Sequence, residues 1–293
     1  MTCHTELLAR LPALHALVIF SVRSFYVLAL SITQDLGTFR TLSFDSASHV
    51  PTSAGYRRYP LARTVWDAAD DVGAALDYVS TNITRYGGDA RKVVLVAHSS
   101  GAHISALHLL SRMKAVTEAG DGQQGLGLHS FIGLSGVYDI NAHYEHEKKR
   151  GVHEISALKP ANGFSPAEFA AASPTALARE LAEKCAKQWD GETPGKKPAP
   201  LPQIRLVHCK DDTTVPFTSS TDLWEALARV ADGAGAEPGA VRVELLEEGG
   251  HASLLREVML AKTGGLGAGE EGDIAPQEEP FLLQMVRDVI TES

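Results

Sequence analysis

One stretch of this chain can be solvated on neither side, and it constrains the fold more than any other. Residues 92–97, Lys-Val-Val-Leu-Val-Ala, form a β-branched run without polar alternation. Such a run reads as a central strand of a parallel sheet, buried on both faces. Parallel neighbours need crossover connections, and the flanking sequence supplies them. Val65, Ala69, Val72, Leu76, Val79 and Ile83 recur at spacings of 4, 3, 4, 3 and 4, the signature of one helix face within residues 64–86. Tyr86-Gly87-Gly88-Asp89 follows, with glycines suited to a left-handed helix end. Beyond the run, Ile104, Leu107, Leu110 and Met113 mark a second helix. Strand-like segments at 128–134, 204–208 and 240–246 then alternate with helical ones at 219–231, 252–262 and about 279–290. The pattern predicts an α/β fold: a mostly parallel sheet with helices on both faces.

At 293 residues the default is one domain. Its body is expected to span 56–293. Residues 141–200, polar and rich in His, Lys and Pro with helical patches near 166–187, read as an insertion over the sheet edge. Within them 190–200 is a breaker-rich connection, and 263–278 is low in complexity.

The segment 1–55 is atypical. Residues 11–32 are apolar for nearly a membrane-spanning length, but Arg23 lies near the middle, where a charge costs a few kcal/mol. Two buried strands or a helix hairpin is the preferred reading. A membrane anchor is the alternative, and would attach the chain to an internal membrane. Residues 49–55, His-Val-Pro-Thr-Ser-Ala-Gly, have a turn composition, so the N-terminal strands are expected to be incomplete.

Charge and cysteine usage narrow the partners. A formal charge of -9 with acidic residues widely spread argues against nucleic acid, because phosphate binding needs a concentrated basic face. Lys148-Lys149-Arg150 sits among Glu145, Glu147 and Glu154, a solvated mixed-charge surface. Cys3, Cys185 and Cys209 are too few and too far apart for a disulfide framework or a zinc site, which points to a reducing intracellular compartment. A two-histidine metal site at His143 and His146 lacks a third ligand, so no metal or other cofactor is expected.

The chemistry concentrates where the buried run meets its helix. A serine that attacks a carbonyl must project from a sharp strand-to-helix turn, with the next backbone N–H facing the developing oxyanion. The turn crowds the backbone two residues before and two after the serine. Ala97 and Gly101 meet that demand for Ser99, whereas Ser100 would have the bulky His98 in the first position. Ser99 is therefore the candidate nucleophile, and the N–H of Ser100 the candidate oxyanion donor. A serine hydroxyl is inert at neutral pH, so it needs a base, and the base needs a carboxylate to hold its tautomer. The loop after strand 204–208 carries Asp211 and Asp212, either of which could serve. The loop after strand 240–246 ends in His251, where the base must come in the chain order Ser, acid, His. His98, His103 and His108, around the turn, and His143, His146 and His153, in the insertion, read as structural or surface residues.

At these residues a resemblance enters. Gly55-Tyr-Arg-Arg-Tyr-Pro60, Tyr86-Gly-Gly-Asp89, His98-Ser-Ser-Gly-Ala-His103, Leu134-Ser-Gly-Val-Tyr-Asp139, Arg150-Gly-Val-His-Glu154 and His208 through Pro216 resemble α/β-hydrolase esterases. The closest likeness is to the isoprenylcysteine methylesterase-like branch, related to kynurenine formamidase and carboxylesterases. It covers roughly residues 55–260. By position it implies Asp212, not Asp211, as the acid and His251 as the base. It also implies hydrolysis of small carboxylic esters with an apolar neighbourhood, prenylcysteine methyl esters first among them, without a cofactor. An arylformamidase is the rival activity, and a catalytically impaired binding module the rival class.

One departure stands out. The family carries a His-Gly-Gly string on an early strand-to-helix loop, and none occurs in residues 1–55. A single missing oxyanion donor typically lowers rates about a hundred- to thousandfold. The N-terminus is thus expected to be an altered sheet edge, a wrongly delimited segment or the mark of a degenerate, non-catalytic chain.

Overall fold

The buried run is the middle of the sheet. In a computed structural model, Val93–His98 forms strand β3, with every residue buried. The structure describes residues 16–21, 51–53, 56–57, 60–86, 88–119, 126–188, 200–254 and 281–291. Among these residues Ala16–Ser21 (β1), Pro51–Ser53 (β2), Ser130–Leu134 (β4), Gln203–Cys209 (β5) and Val241–Leu246 (β6) join it in a six-stranded sheet of order β2-β1-β3-β4-β5-β6, every pair parallel. The α/β class expected from the alternation is the observed one.

Because side chains alternate along a strand, β3 feeds two cores. Val93, Leu95 and Ala97 share one face with Phe131, Ile204 and Leu206. That face is covered by α1 (Val65–Asn82), α2 (Ser100–Ala119), α6 (Pro174–Gln188) and α7 (Thr218–Ala234). Val94 and Val96 share the other face with Ile132, Leu134 and Val207, beneath α8 (Phe281–Thr291). Each fully buried Val, Leu or Ile contributes about 1.5–3 kcal/mol relative to exposure. This two-sided demand is why the strand shows no polar alternation.

Three expectations need correction. Residues 49–55 are not merely a turn, since Pro51–Ser53 pairs with β1. At a sheet edge only one side of the backbone is paired, and an edge strand can begin with proline. Second, the stretch read as an insertion holds α3 (Ile140–Lys149), α4 (Leu158–Asn162), α5 (Pro166–Ala171) and α6. Of these, α6 is a crossover helix of the main layer: Ala178 and Leu181 are fully buried, and Cys185 lies so close to Gly233 of α7 that a Cβ there would clash. Third, α1 gives way to a 3-10 turn, Ile83–Tyr86, and the Gly88 N–H donates to the Ile83 carbonyl at 3.1 Å.

Of the apolar segment 11–32, the described part is β1, paired with β3 along Ala16–Ser21. No helix among the described residues is long and apolar enough to cross a membrane. The helix expected from 252 to 262 lies largely, and the low-complexity stretch 263–278 wholly, outside the described residues.

Candidate active site

Parallel strands end together, and the loops beyond their C-terminal ends form the crevice where α/β folds bind ligands. All the chemistry expected from the sequence arrives at that end. After His98, the last residue of β3, the chain turns within one residue: Ser99 has φ 57°, a left-handed conformation rare for a non-glycine residue. The Ser99 N–H donates to the Leu134 carbonyl of the neighbouring strand at 2.8 Å, and the Ser99 carbonyl accepts from the His103 N–H at 3.1 Å. The backbone is thus pinned on both sides of the bend, with buried Ala97 before it and buried Gly101 after it.

His251 comes from the loop after β6. Its Nε2 lies 2.9 Å from Ser99 Oγ, and its Nδ1 lies 2.7 Å from Asp212 Oδ2. Asp212 comes from the loop after β5, and its Oδ1 accepts the N–H groups of Thr214 at 2.8 Å and Val215 at 3.0 Å. Burial opposes the charge on Asp212. The hydrogen bonds from His208, His251 and the Val215 N–H more than offset it and hold the carboxyl well below the usual carboxylate range. The serine, the imidazole and the carboxylate are therefore one hydrogen-bonded chain, and Asp212 is the acidic partner in it.

Asp211 has a different task. Its carboxylate accepts the N–H groups of Gly249 at 3.1 Å and Gly250 at 2.8 Å, and so holds the backbone that delivers His251. Those two bonds, Gly250 first, lower its pKa. Gly249 and Gly250 adopt φ of 142° and 64°, and a Cβ on Gly249 would collide with Ser253 Oγ. The glycines before the histidine are thus a geometric requirement.

His98 is also more than a bystander. Its Nε2 donates to the His251 carbonyl at 2.6 Å, and the two rings stand 4.8 Å apart. Burial pushes the His98 pKa down to about 4. The sequence offers one cue to these helpers, their adjacency to Ser99 and Asp212, but it does not show which backbone groups they meet.

Two further elements close the site. Tyr56 Oη shares a 2.9 Å hydrogen bond with Ser100 Oγ, one residue past Ser99. Its neighbour Arg57 is anchored on buried Asp71 of α1 through backbone and guanidinium bonds of 2.8 to 3.1 Å. From the other side, α3 docks on the acid loop: His146 Nε2 donates to the Thr213 carbonyl at 3.1 Å and Arg150 to the Thr214 carbonyl at 3.3 Å. His143 and His146 have ring centroids 6.0 Å apart. No group of three His, Cys, Asp or Glu among the described residues is arranged to hold a metal ion.

A six-stranded parallel sheet that presents a strained serine, an imidazole and a carboxylate at its C-terminal end defines a class. The chain belongs to the α/β hydrolase family, which matches residues 16–262. It is 29% identical over 216 residues to a probable isoprenylcysteine α-carbonyl methylesterase of Oryza sativa subsp. japonica, covering 70% of this chain and 47% of that protein. It is also 29% identical over 185 residues to an isoprenylcysteine α-carbonyl methylesterase of Arabidopsis thaliana, covering 62% and 39%. An esterase of Mycobacterium tuberculosis is 32% identical over 124 residues, covering 42% and 29%. The chain thus spans less than half the length of these relatives. Among solved structures, a sugar hydrolase of Lactococcus lactis has a TM-score of 0.53 at 12% identity, covering 96% of this chain and 89% of that one. A hormone-sensitive lipase from a metagenome library has 0.52 at 13%, covering 94% and 77%. At such identities these two speak for the fold alone.

Proposed function

We propose that this chain is a serine hydrolase of carboxylic esters, with Ser99 as nucleophile, His251 as general base and Asp212 as the acid that orients it. The observation that carries this reading is the 2.9 Å approach of His251 Nε2 to Ser99 Oγ, with Asp212 behind the ring at 2.7 Å. A carboxylate on Nδ1 fixes that hydrogen in place and leaves Nε2 bare to take the serine proton. Ser99 Oγ then attacks the ester carbonyl, and the oxyanion forms beside the Ser100 N–H. The imidazolium returns the proton to the departing alcohol. Water, deprotonated by the same imidazole, releases the acid from the acyl-enzyme.

Prenylcysteine methyl esters are the first substrates to try, because the Oryza and Arabidopsis relatives are named as isoprenylcysteine methylesterases. Cys185 and Cys209 are both buried thiols, which suits a reducing intracellular compartment. Without a His-Gly-Gly string, the Ser100 N–H is the one oxyanion donor this reading assigns, so slow turnover is expected. A fluorophosphonate probe measures the nucleophile whatever the substrate. The intact protein should be labelled and Ser99→Ala should not. Unlabelled intact protein would leave the binding-module alternative standing. Turnover of a prenylcysteine methyl ester against N-formylkynurenine then separates esterase from arylformamidase.

A further inference from the structure

Behind Asp212 lies a second imidazole that the mechanism above does not use. His208, the sixth residue of β5, is fully buried. Its Nε2 lies 2.9 Å from the Val215 carbonyl and 3.3 Å from Asp212 Oδ2, and its Nδ1 lies 2.8 Å from the Oγ of Ser220, which is itself fully buried on α7. A carbonyl oxygen only accepts, so the Val215 contact requires the hydrogen on Nε2. The same nitrogen is the one that stands beside the carboxylate. Nδ1 is then free to accept from the Ser220 hydroxyl. With a partner on each nitrogen, the ring has one orientation that satisfies all three neighbours. Asp212 Oδ2 consequently stands between two imidazole N–H groups, one from His251 and one from His208.

We propose that His208, with its tautomer fixed by the Val215 carbonyl and its ring held by Ser220, is a positioning residue for the acid: it helps hold Asp212 in register with His251 and moderates the charge that His251 sees. The proposal rests on the reading of Asp212 and His251 as acid and base. A carboxylate that shares its negative charge with a second donor attracts an imidazolium less strongly. Without the His208 N–H, Asp212 favours the protonated form of His251, and its Oδ2 loses one of the contacts that steady it, the Thr214 and Val215 N–H groups still holding Oδ1. The first effect moves the acid limb of the reaction to higher pH, because the base must be neutral to act. The second lowers the rate at the plateau.

The other ionisable groups around this cluster are few. His98 faces it from the end of β3 and Cys209 follows His208 on β5. Asp211 lies beside Asp212, its carboxylate turned to the His251 loop. From α3, His143 lies within electrostatic reach of His251 and is left unchanged in every variant, while His146 and Arg150 reach the carbonyls of Thr213 and Thr214 rather than the carboxylate. A pH midpoint that moves on changing His208 alone therefore reports on the shared carboxylate.

The test pairs a measurement that needs no turnover with one that does. In protein labelled with ¹⁵N-histidine, His208, assigned by loss of its signals in His208→Gln, should hold its hydrogen on Nε2. An Nδ1–H tautomer overturns the proposal even in the unmutated protein. The titration midpoint of His251, followed in the same spectra, should rise by about half a pH unit in His208→Leu and in Ser220→Ala. It should stay near the original value in His208→Gln, whose amide keeps a donor where Nε2–H was. The pH midpoint of fluorophosphonate labelling should move in parallel, with the plateau rate about tenfold lower in His208→Leu. Should His208→Leu fail to fold, Ser220→Ala and His208→Gln carry the comparison. Unmoved midpoints in folded variants, or a Gln variant as impaired as Leu, defeat the positioning role. Complete absence of labelling in the unmutated protein instead defeats the hydrolase reading, and the spectra tell the two failures apart.

Discussion

Two neighbouring strands of this sheet end in the same unusual way, and only one of the endings carries the candidate site. After β3 the chain bends at Ser99 with φ 57°, and after β4 it bends at Ser135 with φ 47°. Each bend is pinned alike, the Ser99 N–H on the Leu134 carbonyl and the Ser135 N–H on the Val207 carbonyl. The surroundings separate them. Ser99 is partly exposed, and the next residue, Ser100, is tied to Tyr56. Ser135 is 2% exposed, followed by Gly136, and the Tyr138 ring lies so close that a Cβ on Gly133 or Gly136 would overlap it. A strained serine at the end of a buried strand therefore does not by itself mark a nucleophile. What distinguishes Ser99 is the imidazole brought to it from the loop after β6.

The sharpest way to break that comparison is to remove each hydroxyl. Ser99→Ala should lower ester hydrolysis by about a millionfold, the scale seen when a serine nucleophile is deleted. Ser135→Ala should change it by less than about threefold, since that side chain faces no base. Initial rates with an activated ester, backed by probe labelling, measure both. Comparable losses at the two positions would mean that Ser99 acts through the fold and not as a nucleophile.

Depriving Ser99 of its oriented base makes it chemically like Ser135. Asp212→Asn should lower the rate by about four orders of magnitude through the wrong tautomer of His251. Asp211→Asn keeps one oxygen acceptor for the Gly249 and Gly250 N–H groups, and should cost about tenfold or less. The ratio of the two losses checks the division of labour between adjacent carboxylates. If Asp211→Asn is the more damaging, the loop has been assigned the wrong acid.

How much of this contrast could be read in the sequence follows from what each part depends on. The Ser99 bend was legible because Ala97 and Gly101 answer a local steric demand and the strand before it is apolar throughout. His251 and the pair Asp211–Asp212 were legible from chain order, and the resemblance selected Asp212. The tasks of Asp211, His98 and His208 were not, because each depends on where a backbone N–H or C=O points in a loop folded against another strand. The second bend has no cue in the sequence, since Ser135-Gly136 has no unusual composition. β2 is hidden in the sequence because an edge strand tolerates the Pro, Thr and Ser that elsewhere signal a turn. The helical pattern of α6 is legible, but its charged surface hides the buried stripe of Ala178, Leu181 and Cys185 that makes it a crossover.

The two bends also differ in the protons they exclude. His98 and His103 flank the first, and His143 lies above it on α3. Burial lowers all three from 6.5 to about 4. In the unfolded chain they take up protons below about pH 6.5. The folded form refuses those protons until about pH 4, so stability should fall as pH drops through that window, by on the order of 3 kcal/mol for one such histidine. Asp212 does not contribute there, because its stabilisation is lost only below the ordinary carboxylate range. The second bend holds Tyr138, whose pKa burial raises. Its contribution is lost as pH climbs above the ordinary tyrosine value of about 10. Thermal melts across pH should show both slopes. His103→Gln, which keeps a donor for the Ala172 carbonyl, should flatten the acid slope, and Tyr138→Phe the alkaline one. An acid slope unchanged in His103→Gln would show that this histidine is not excluded from protonation.

The smallest expected effect is the one the two bends should share. A non-glycine residue held at positive φ costs about 1–2 kcal/mol, and glycine removes that strain. Glycine also gives the unfolded chain more freedom, which returns about 0.5–1 kcal/mol of the gain. The net for Ser99→Gly and for Ser135→Gly should each be at most about 1 kcal/mol of added stability, a rise of roughly 2 °C in Tm for a chain of this size. Equal gains with labelling lost at 99 and kept at 135 would locate the functional difference in the surroundings and leave the backbone the same. A stabilised Ser99→Gly beside a destabilised Ser135→Gly would mean that the buried hydroxyl supports the packing around Tyr138. Strain at the first bend would then be tolerated for the sake of its chemistry, and strain at the second for the sake of the core.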